Sequence, residues 1–259
     1  MSKTEQEHRH DVIEVGKLVF QKGWVAANDG NITIRLDSNR ILCTPTGVCK
    51  GMMKSDDLSV CDLDGNMIEG SRGRTSEIEM HLTIYRMRPD VNSVVHAHPP
   101  VATGFAVAGK PLNLALLPEV IIGLGEVPLA EYGLPGTPAL TADMRRYIPR
   151  YDAILMANHG VVSYGPHVWK AFFNMETVEH FARITLVAEL LGGARVLPRE
   201  EVRKLFDARE RYGVRSNTRM SPGSPVVAEE HAAQPKIETT REELAAIIDE
   251  ILRSRGVLA

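Results

Sequence analysis

The sequence predicts an α/β protein whose N-terminal half carries antiparallel strands, and three observations support this fold class. Residues 32–36 alternate apolar and polar side chains, which is typical of a half-buried strand. Asp64 and Gly65 stand between two short strand-like runs, and this dipeptide supplies the positive φ angles of a tight hairpin. Residues 169–191 form the longest helical segment, closed by two glycines where a helix C-terminus favours a left-handed residue.

The N-terminal half begins with a helix. Apolar residues recur at helical spacing across residues 8–22, and Gly23 ends the pattern. From Ser76 the pattern becomes helical again, with Ser76 as the cap and Glu79 completing a capping box. Between these helices, strands are predicted at residues 32–36, 40–43, 58–62 and 66–69.

The C-terminal half is predicted to open with a short apolar strand, residues 94–98. Residues 109–141 are rich in proline and glycine, so we expect short strands and loops there. Thr141 can cap a brief helix that runs to residue 148, and residues 154–156 read as a buried strand. A charged helical segment, residues 199–211, follows the longest helix.

The composition changes after residue 215, so residues 1–215 are predicted to form the main domain. Residues 216–239 are rich in serine, proline, alanine and charge and lack an apolar period, which predicts a flexible linker. Residues 240–259 carry an amphipathic stripe behind a capping box, which predicts a short helix at the end of that linker.

The overall composition excludes several classes of partner. Thirty basic and thirty-three acidic residues give a net charge of -3 without a Lys/Arg run, which argues against nucleic acid. No apolar stretch approaches the length of a signal sequence or a membrane span, so we expect a cytoplasmic protein that does not enter the membrane. The three cysteines lack the C-x-x-C spacing of a zinc or redox motif, which fits a reducing compartment.

Two histidines that end one short strand are the strongest chemical signal. His96 and His98 are two residues apart, so both imidazoles project from the same face of a strand and could bind one ion. Alone, such a pair can equally be a surface feature. With His159 after a buried strand and Glu77 near a helix start, it completes a tetrahedral ligand set for zinc. Glu77 taken alone is more simply a carboxylate favoured by the helix dipole.

A second set of small residues suggests an anion site. Each pair stands at a turn or a helix start, where backbone N–H groups and hydroxyls can face a phosphate. Any one pair is more often only a turn or a cap, but together, with no lysine among them, they suggest a phosphate held by neutral donors. The set consists of Gly30, Asn31, Thr46, Gly47, Thr75 and Ser76.

These motifs resemble the class II, zinc-dependent aldolases of the aldolase/adducin family over about residues 10–215. The resemblance rests on five motifs in family order and spacing: Gly30-Asn31, Thr44-Pro45-Thr46-Gly47, Thr75-Ser76-Glu77, His96-Ala97-His98 and Asn158-His159-Gly160. It implies a three-layer α/β/α domain around a mixed, largely antiparallel sheet. It also implies one zinc ion per subunit on the three histidines, Glu77 as the metal-proximal acid/base, and the small-residue set on the substrate phosphate.

The resemblance further implies a reaction and an assembly. The fuculose-phosphate aldolases cleave a deoxyketose 1-phosphate, such as fuculose or rhamnulose 1-phosphate, to dihydroxyacetone phosphate and lactaldehyde. They form cyclic homotetramers whose active sites lie between subunits, and a tyrosine near the domain's end reaches the neighbouring site as proton donor. Tyr212 is similar to that tyrosine, although it could equally be an exposed residue that closes a helix. A second active-site tyrosine is expected near Leu117, where this chain has none.

Other members of the family leave alternatives open. A sugar-phosphate 4-epimerase uses the same cleavage and rejoins the fragments, and a methylthioribulose-phosphate dehydratase or an oxo-acid phosphate decarboxylase would share the metal and phosphate sets. Adducin-like members keep the fold for protein interaction without catalysis, but the complete set of three histidines and Glu77 argues against that class here.

The C-terminal segment resembles the encapsulation peptides that deliver enzymes to bacterial microcompartment shells. An exposed apolar stripe on a tether needs a partner surface. Residues 240–255 could therefore bind a shell protein, which would place the enzyme inside a microcompartment, or could instead dock on the aldolase domain.

Overall fold

A central sheet of eight strands with helices on both faces organises the chain. The computed structural model describes residues 3–213. The helices are α1 (Glu5–Gln21), α2 (Ile78–Met87), α3 (Pro100–Val107), α4 (Pro118–Gly123), α5 (Ala139–Ala142), α6 (Val168–Leu190) and α7 (Arg199–Ala208). The strands are β1 (Asn31–Arg35), β2 (Ile41–Cys43), β3 (Ser59–Cys61), β4 (Met67–Glu69), β5 (Ser93–Ala97), β6 (Leu129–Ala130), β7 (Ala153–Met156) and β8 (Gly160–Gly165).

The sheet is mixed and largely antiparallel, as predicted. Its strand order is β4-β3-β2-β1-β5-β8-β7-β6, and among these described strands only β6 and β7 pair in parallel. In the middle of the sheet, Asn31 of β1 lies opposite His96 of β5, and His96 lies opposite Val162 of β8. One end of three adjacent strands therefore carries residues that are far apart in the sequence.

Alternate residues of the central strands feed two separate hydrophobic cores. Ile32 and Val95 point into a core with Val12 of α1 and Phe181 of α6. The neighbouring residue Val94 points to the other face, where the second core includes Leu82 of α2. Because successive strand residues face opposite sides, the two cores lie on opposite faces of the sheet. The three-layer α/β/α prediction is confirmed.

Two local predictions at turns are wrong in detail. Ser76 does not cap α2, whose N-cap position is Glu77; the Thr75 hydroxyl instead accepts a hydrogen bond from the Glu77 N–H. Glu79 bonds Arg86 on the helix surface rather than completing a capping box. In the hairpin, Gly65 alone of the Asp-Gly pair takes a positive φ, 84°. The side chain of Glu77 makes no capping hydrogen bond to α2.

The segment between β5 and β7 contains more helix than the sequence predicts. α3 was not predicted, and α4 lies where loops were expected. The start of α3 is stabilised by Glu179 of α6, whose buried carboxylate accepts hydrogen bonds from the N–H groups of Val101 and Ala102. The helix predicted over residues 141–148 is instead α5 followed by a separate 3-10 turn, Met144–Arg146. The hydrogen bond between Ala102 and Glu179 joins residues 77 positions apart. No local sequence pattern therefore indicates where α3 begins.

The predicted linker, residues 216–239, and the predicted helical tail, residues 240–259, lie outside the described residues. Within residues 3–213, no helix is both long enough and apolar enough to cross a membrane.

Candidate functional site

The three predicted histidines meet at one end of the sheet. His96 is the next-to-last residue of β5, His98 follows the strand directly, and His159 stands in the turn that joins β7 to β8. One ring nitrogen from each lies within 4.8 Å of those of the others. The strand pairing of β5 with β8 thus brings together residues more than sixty positions apart.

Close packing of the backbone fixes the histidine rings. A Cβ atom on Gly160 would lie 2.5 Å from Cδ2 of His98 and 2.8 Å from the carbonyl oxygen of Ala97. Only glycine therefore fits beside the rings. The backbone N–H of His98 also donates to the carbonyl oxygen of Trp24 at 2.8 Å. This bond holds the end of β5 against the loop after α1.

The Glu77 carboxylate completes the cluster. Its Oε2 lies 3.3 Å from Nε2 of His96, and its Oε1 lies 3.2 Å from Nε2 of His159. Burial acts to raise the pKa of Glu77, but the His96 and His159 imidazoles outweigh it and hold that pKa well below its usual range. Burial, with His96 and His159 beside it, lowers the pKa of His98 to about 4. The site thus offers a carboxylate and a neutral imidazole at neutral pH.

The donor atoms fit a metal ion. His96 Nδ1 lies 2.9 Å from the carbonyl oxygen of Val161 and donates to it, so its Nε2 lone pair faces Nε2 of His98 at 3.2 Å and the Glu77 carboxylate. Glu77 Oε1 is buried and accepts no hydrogen bond from the described residues. A cation between these electron-rich atoms would relieve the repulsion of their lone pairs. Bonds of about 2.0–2.2 Å to a tetrahedral ion would set its ligand atoms roughly 3.3–3.6 Å apart.

A polar pocket of about 220 Å³ opens beside this cluster. Five of the six predicted phosphate-binding residues line it, together with Glu77, His98 and His159: Gly30, Asn31, Thr46, Thr75 and Ser76. Gly47 follows Thr46 in the same turn but is not part of the lining. Gly30 has a φ of 71°, and a Cβ there would lie 2.8 Å from the His96 carbonyl oxygen, so glycine is needed for the pocket and the metal cluster to adjoin.

Thr46 and Thr75 can offer an anion only their hydroxyl groups, because their backbone N–H groups are already used. The Thr46 N–H donates to the carbonyl oxygen of Gly73, and the Thr75 N–H donates to that of Thr44. Of these two residues, neither backbone N–H is available to an anion. If the pocket binds a phosphate, these two residues would contribute hydroxyl groups rather than backbone N–H groups, and their phosphate-binding role stays a prediction.

Lys50 is a functional candidate that the sequence analysis missed. Its side chain is 1% exposed and donates to the carbonyl oxygens of Asn28 and Val48 at 3.0 and 2.8 Å. Burial lowers its pKa to about 8, and Asp29 opposes that shift. Because Asn28 and Asp29 line the pocket, Lys50 supports the loop that carries Gly30. Its position three residues after Gly47 was the available signal, but lysine is rarely buried.

Tyr212 is not part of this pocket. It ends the 3-10 turn Arg209–Tyr212, its side chain is 68% exposed, and it is not among the residues that line the pocket. α7, just before it, packs on α4 through Val202 and Ile121. Tyr212 therefore does not contribute to the pocket that the described residues of one chain form.

Comparison with known proteins agrees with this geometry. Residues 10–186 match the family described as "Class II Aldolase and Adducin N-terminal domain". The chain belongs to the class II aldolase and adducin family. This aldolase-family chain is 33% identical over 192 residues to a 3-oxo-tetronate 4-phosphate decarboxylase of Pectobacterium atrosepticum, covering 71% of this chain and 86% of that protein.

Two further relatives of this class II aldolase-family chain are aldolases. A 5-deoxy-D-ribulose 1-phosphate aldolase of Bacillus thuringiensis serovar kurstaki is 33% identical over 211 residues, 80% of this chain and 98% of that protein. The solved structure of an L-fuculose 1-phosphate aldolase superposes with a TM-score of 0.74 at 29% identity, covering 81% of this chain and 98% of the other. The chain is thus an enzyme of the class II aldolase type. That family is metal-dependent, and the three-histidine cluster could hold the metal.

Proposed function

We propose that this protein is a zinc-dependent aldolase that cleaves a deoxyketose 1-phosphate, such as fuculose or rhamnulose 1-phosphate, to dihydroxyacetone phosphate and lactaldehyde. The observation that carries the proposal is the shared boundary of two sites. Glu77 and the histidine cluster adjoin a pocket lined by Thr46, Thr75 and Ser76. A ketose phosphate needs both sites, one for its phosphate and one for its carbonyl carbon.

Zinc is proposed for the cluster because nitrogen and carboxylate ligands in a tetrahedral set are typical of it. His96, His98, His159 and Glu77 would hold the ion. When bound there, zinc supplies a Lewis acid that draws electron density from the substrate carbonyl. The other steps of the reaction fall to side chains of this chain.

The substrate phosphate would be held by the hydroxyls of Thr46, Thr75 and Ser76 and by the Gly30-Asn31 and Gly47 turns. This anchoring would place carbon 3 beside Glu77. In the cleavage, the proton of the 4-hydroxyl leaves, the bond between carbons 3 and 4 breaks, and its electron pair stays with carbon 3. The Glu77 carboxylate receives that hydroxyl proton, by way of the tyrosine proposed below or of solvent, and delivers it to carbon 3, which releases dihydroxyacetone phosphate. The net step moves one proton from the 4-hydroxyl to carbon 3.

The proposal is tested by product analysis. Zinc-loaded enzyme is incubated with fuculose 1-phosphate and with rhamnulose 1-phosphate, and free dihydroxyacetone phosphate is measured. Release that stops on chelation and returns with zinc supports the aldolase and identifies the sugar. Conversion to a stereoisomer without free dihydroxyacetone phosphate would instead indicate a 4-epimerase, and loss of water would indicate a dehydratase.

Decarboxylation is the second candidate function. The similarity to the Pectobacterium decarboxylase favours it, since that relative is as similar to this chain as the aldolases are. The absence of a tyrosine near Leu117 also separates the chain from the fuculose-phosphate pattern. Release of carbon dioxide from a 3-oxo-tetronate 4-phosphate, without cleavage of the two ketose phosphates, would establish this alternative.

Tyr212 is proposed to act in a neighbouring subunit of a cyclic homotetramer, where it would exchange the proton of the 4-hydroxyl. We expect Tyr212→Phe to lower kcat by about 10²-fold, in the range of a lost general acid or base, while zinc content stays unchanged. Mixed tetramers of Tyr212→Phe and Glu77→Gln subunits should regain activity if each site takes residues from two chains. A full wild-type rate in Tyr212→Phe would remove this tyrosine from the mechanism.

The C-terminal segment is proposed to bind a microcompartment shell protein through residues 240–255, joined to the aldolase domain by residues 216–239. We expect a chain that ends at Ser216 to remain an active tetramer and to lose co-sedimentation with shell proteins. Dissociation of the tetramer on this truncation would show instead that the segment docks on the enzyme.

A further inference from the structure

A buried hydrogen-bonded chain runs from the second core to the edge of the pocket. The Tyr85 hydroxyl lies 2.7 Å from Oγ1 of Thr33, which lies 2.8 Å from Nδ1 of His81. Nε2 of His81 lies 2.5 Å from Oδ1 of Asn31, whose Nδ2 lies 2.8 Å from Oε2 of Glu77. His81 and Thr33 are 0% exposed, Tyr85 is 1% and Asn31 5% exposed. This chain of contacts is therefore shielded from bulk water.

The direction of each hydrogen bond follows from the carboxylate at the end. A carboxylate only accepts, so the Asn31 atom beside Glu77 is the NH₂ group, and Oδ1 must accept from His81. Burial, reinforced by His96, lowers the pKa of His81 to about 3, so its ring is neutral and carries one proton. That proton is on Nε2. Nδ1 therefore accepts from the Thr33 hydroxyl, and Thr33 in turn accepts from the Tyr85 hydroxyl.

We propose that His81 is a positioning residue that fixes the orientation of the Asn31 amide, so that its NH₂ group faces Glu77 and the anion pocket. This inference rests on the proposed function, because it assumes that the pocket binds a phosphate. Asn31 lines that pocket. An amide NH₂ group has two protons; one is used on Glu77, and the other is available to an anion. The amide oxygen is kept on the side away from the pocket.

A flipped Asn31 would oppose both functions of the site. Its carbonyl oxygen would stand 2.8 Å from the carboxylate of Glu77 and would present a lone pair to the phosphate. With its proton on Nε2, His81 prevents this flip, because a donor at Nε2 can be satisfied only by the amide oxygen. His81 lies one helical turn after Glu77 on α2, so both side chains project from one face of that helix. α2 thus carries both Glu77, the proposed acid/base group, and His81, which orients the Asn31 amide beside it.

Two substitutions of His81 separate positioning from simple packing. In His81→Gln the amide nitrogen can occupy the place of Nε2 and donate to Asn31, whereas the shorter side chain in His81→Asn reaches only the place of Nδ1. We expect His81→Asn to weaken inorganic phosphate binding to the zinc-loaded protein at least tenfold and to raise KM more than it lowers kcat. His81→Gln should restore phosphate affinity to within about threefold of wild type. Both variants should keep one metal ion per subunit.

The wild-type protein provides an independent test. Nitrogen-15 NMR of the histidine rings should show His81 neutral from pH 6 to 8 with its proton on Nε2, and Thr33→Val, which removes the donor to Nδ1, should perturb that signal. A proton on Nδ1, or equal losses of phosphate affinity in both His81 variants, would overturn the inference. Phosphate calorimetry and NMR require no turnover, so absence of cleavage by the wild-type enzyme would count against the aldolase proposal alone.

Discussion

Replacement of His96 or His159 by alanine is expected to remove the bound metal and to lower kcat by about 10³-fold or more. Each imidazole contributes one of the donor atoms that converge within 4.8 Å, and a tetrahedral site that loses a ligand binds its ion far less tightly. The lost Lewis acid accounts for several kcal/mol of transition-state stabilisation, and about 4 kcal/mol corresponds to a factor of roughly 10³. Metal per subunit and dihydroxyacetone phosphate release are measured on the same preparation.

The matched control is His180→Ala. His180 lies on α6, is exposed, and does not belong to the three-histidine cluster, so this variant should keep both the metal and the wild-type rate. A variant at His96 or His159 that retained a full complement of zinc and normal turnover would refute the metal assignment.

Glu77→Gln is expected to lower kcat by about 10²- to 10⁴-fold, the range lost with a general acid or base, and to change KM little. Glutamine keeps the shape of the side chain and can still accept the hydrogen bond from Asn31, but it cannot carry the proton. Three imidazoles remain for the metal, so partial or full metal content is expected. Rates are compared after saturation with zinc, which separates weaker metal binding from lost proton transfer.

Glu79→Gln is the control for this position. Glu79 stands two residues further along α2 and bonds Arg86 on the surface, so its substitution should leave the rate within about twofold of wild type. If zinc-saturated Glu77→Gln turned over at the wild-type rate, another group would have to move the proton at carbon 3.

Local patterns in the sequence were sufficient for much of the fold. The strand alternation at residues 32–36 and the apolar spacing of α1 and α6 depend on neighbouring residues, and these elements were predicted to within a few positions. α3 was missed because its stabilising partner, Glu179, lies on a different helix. The sequence around Ser76 fits a capping box, but in the structure the Thr75 hydroxyl accepts a hydrogen bond from the Glu77 N–H instead.

In the candidate site, too, local spacing could be predicted from the sequence and distant contacts could not. His96 and His98 could be paired from the sequence because one strand fixes their spacing, and the structure brings His159 and Glu77 to them. The roles of these residues as ligands and acid/base stay predictions. His81 stands out in the sequence by its spacing of one helical turn from Glu77, but the hydrogen-bond partners of Lys50 and His81 could not be predicted, since they lie 22 and 50 residues away.

The pairing of β5 with β8 also bears on how the protein folds. The bond between His96 and Val161 spans 65 residues, and loop closure over such a distance is slow because chain entropy is lost before the contacts form. The three imidazoles meet only after this closure, so a metal ion would bind a largely completed sheet rather than nucleate it. Chelation should then leave the fold intact, and reloading with metal should be faster than refolding from denaturant.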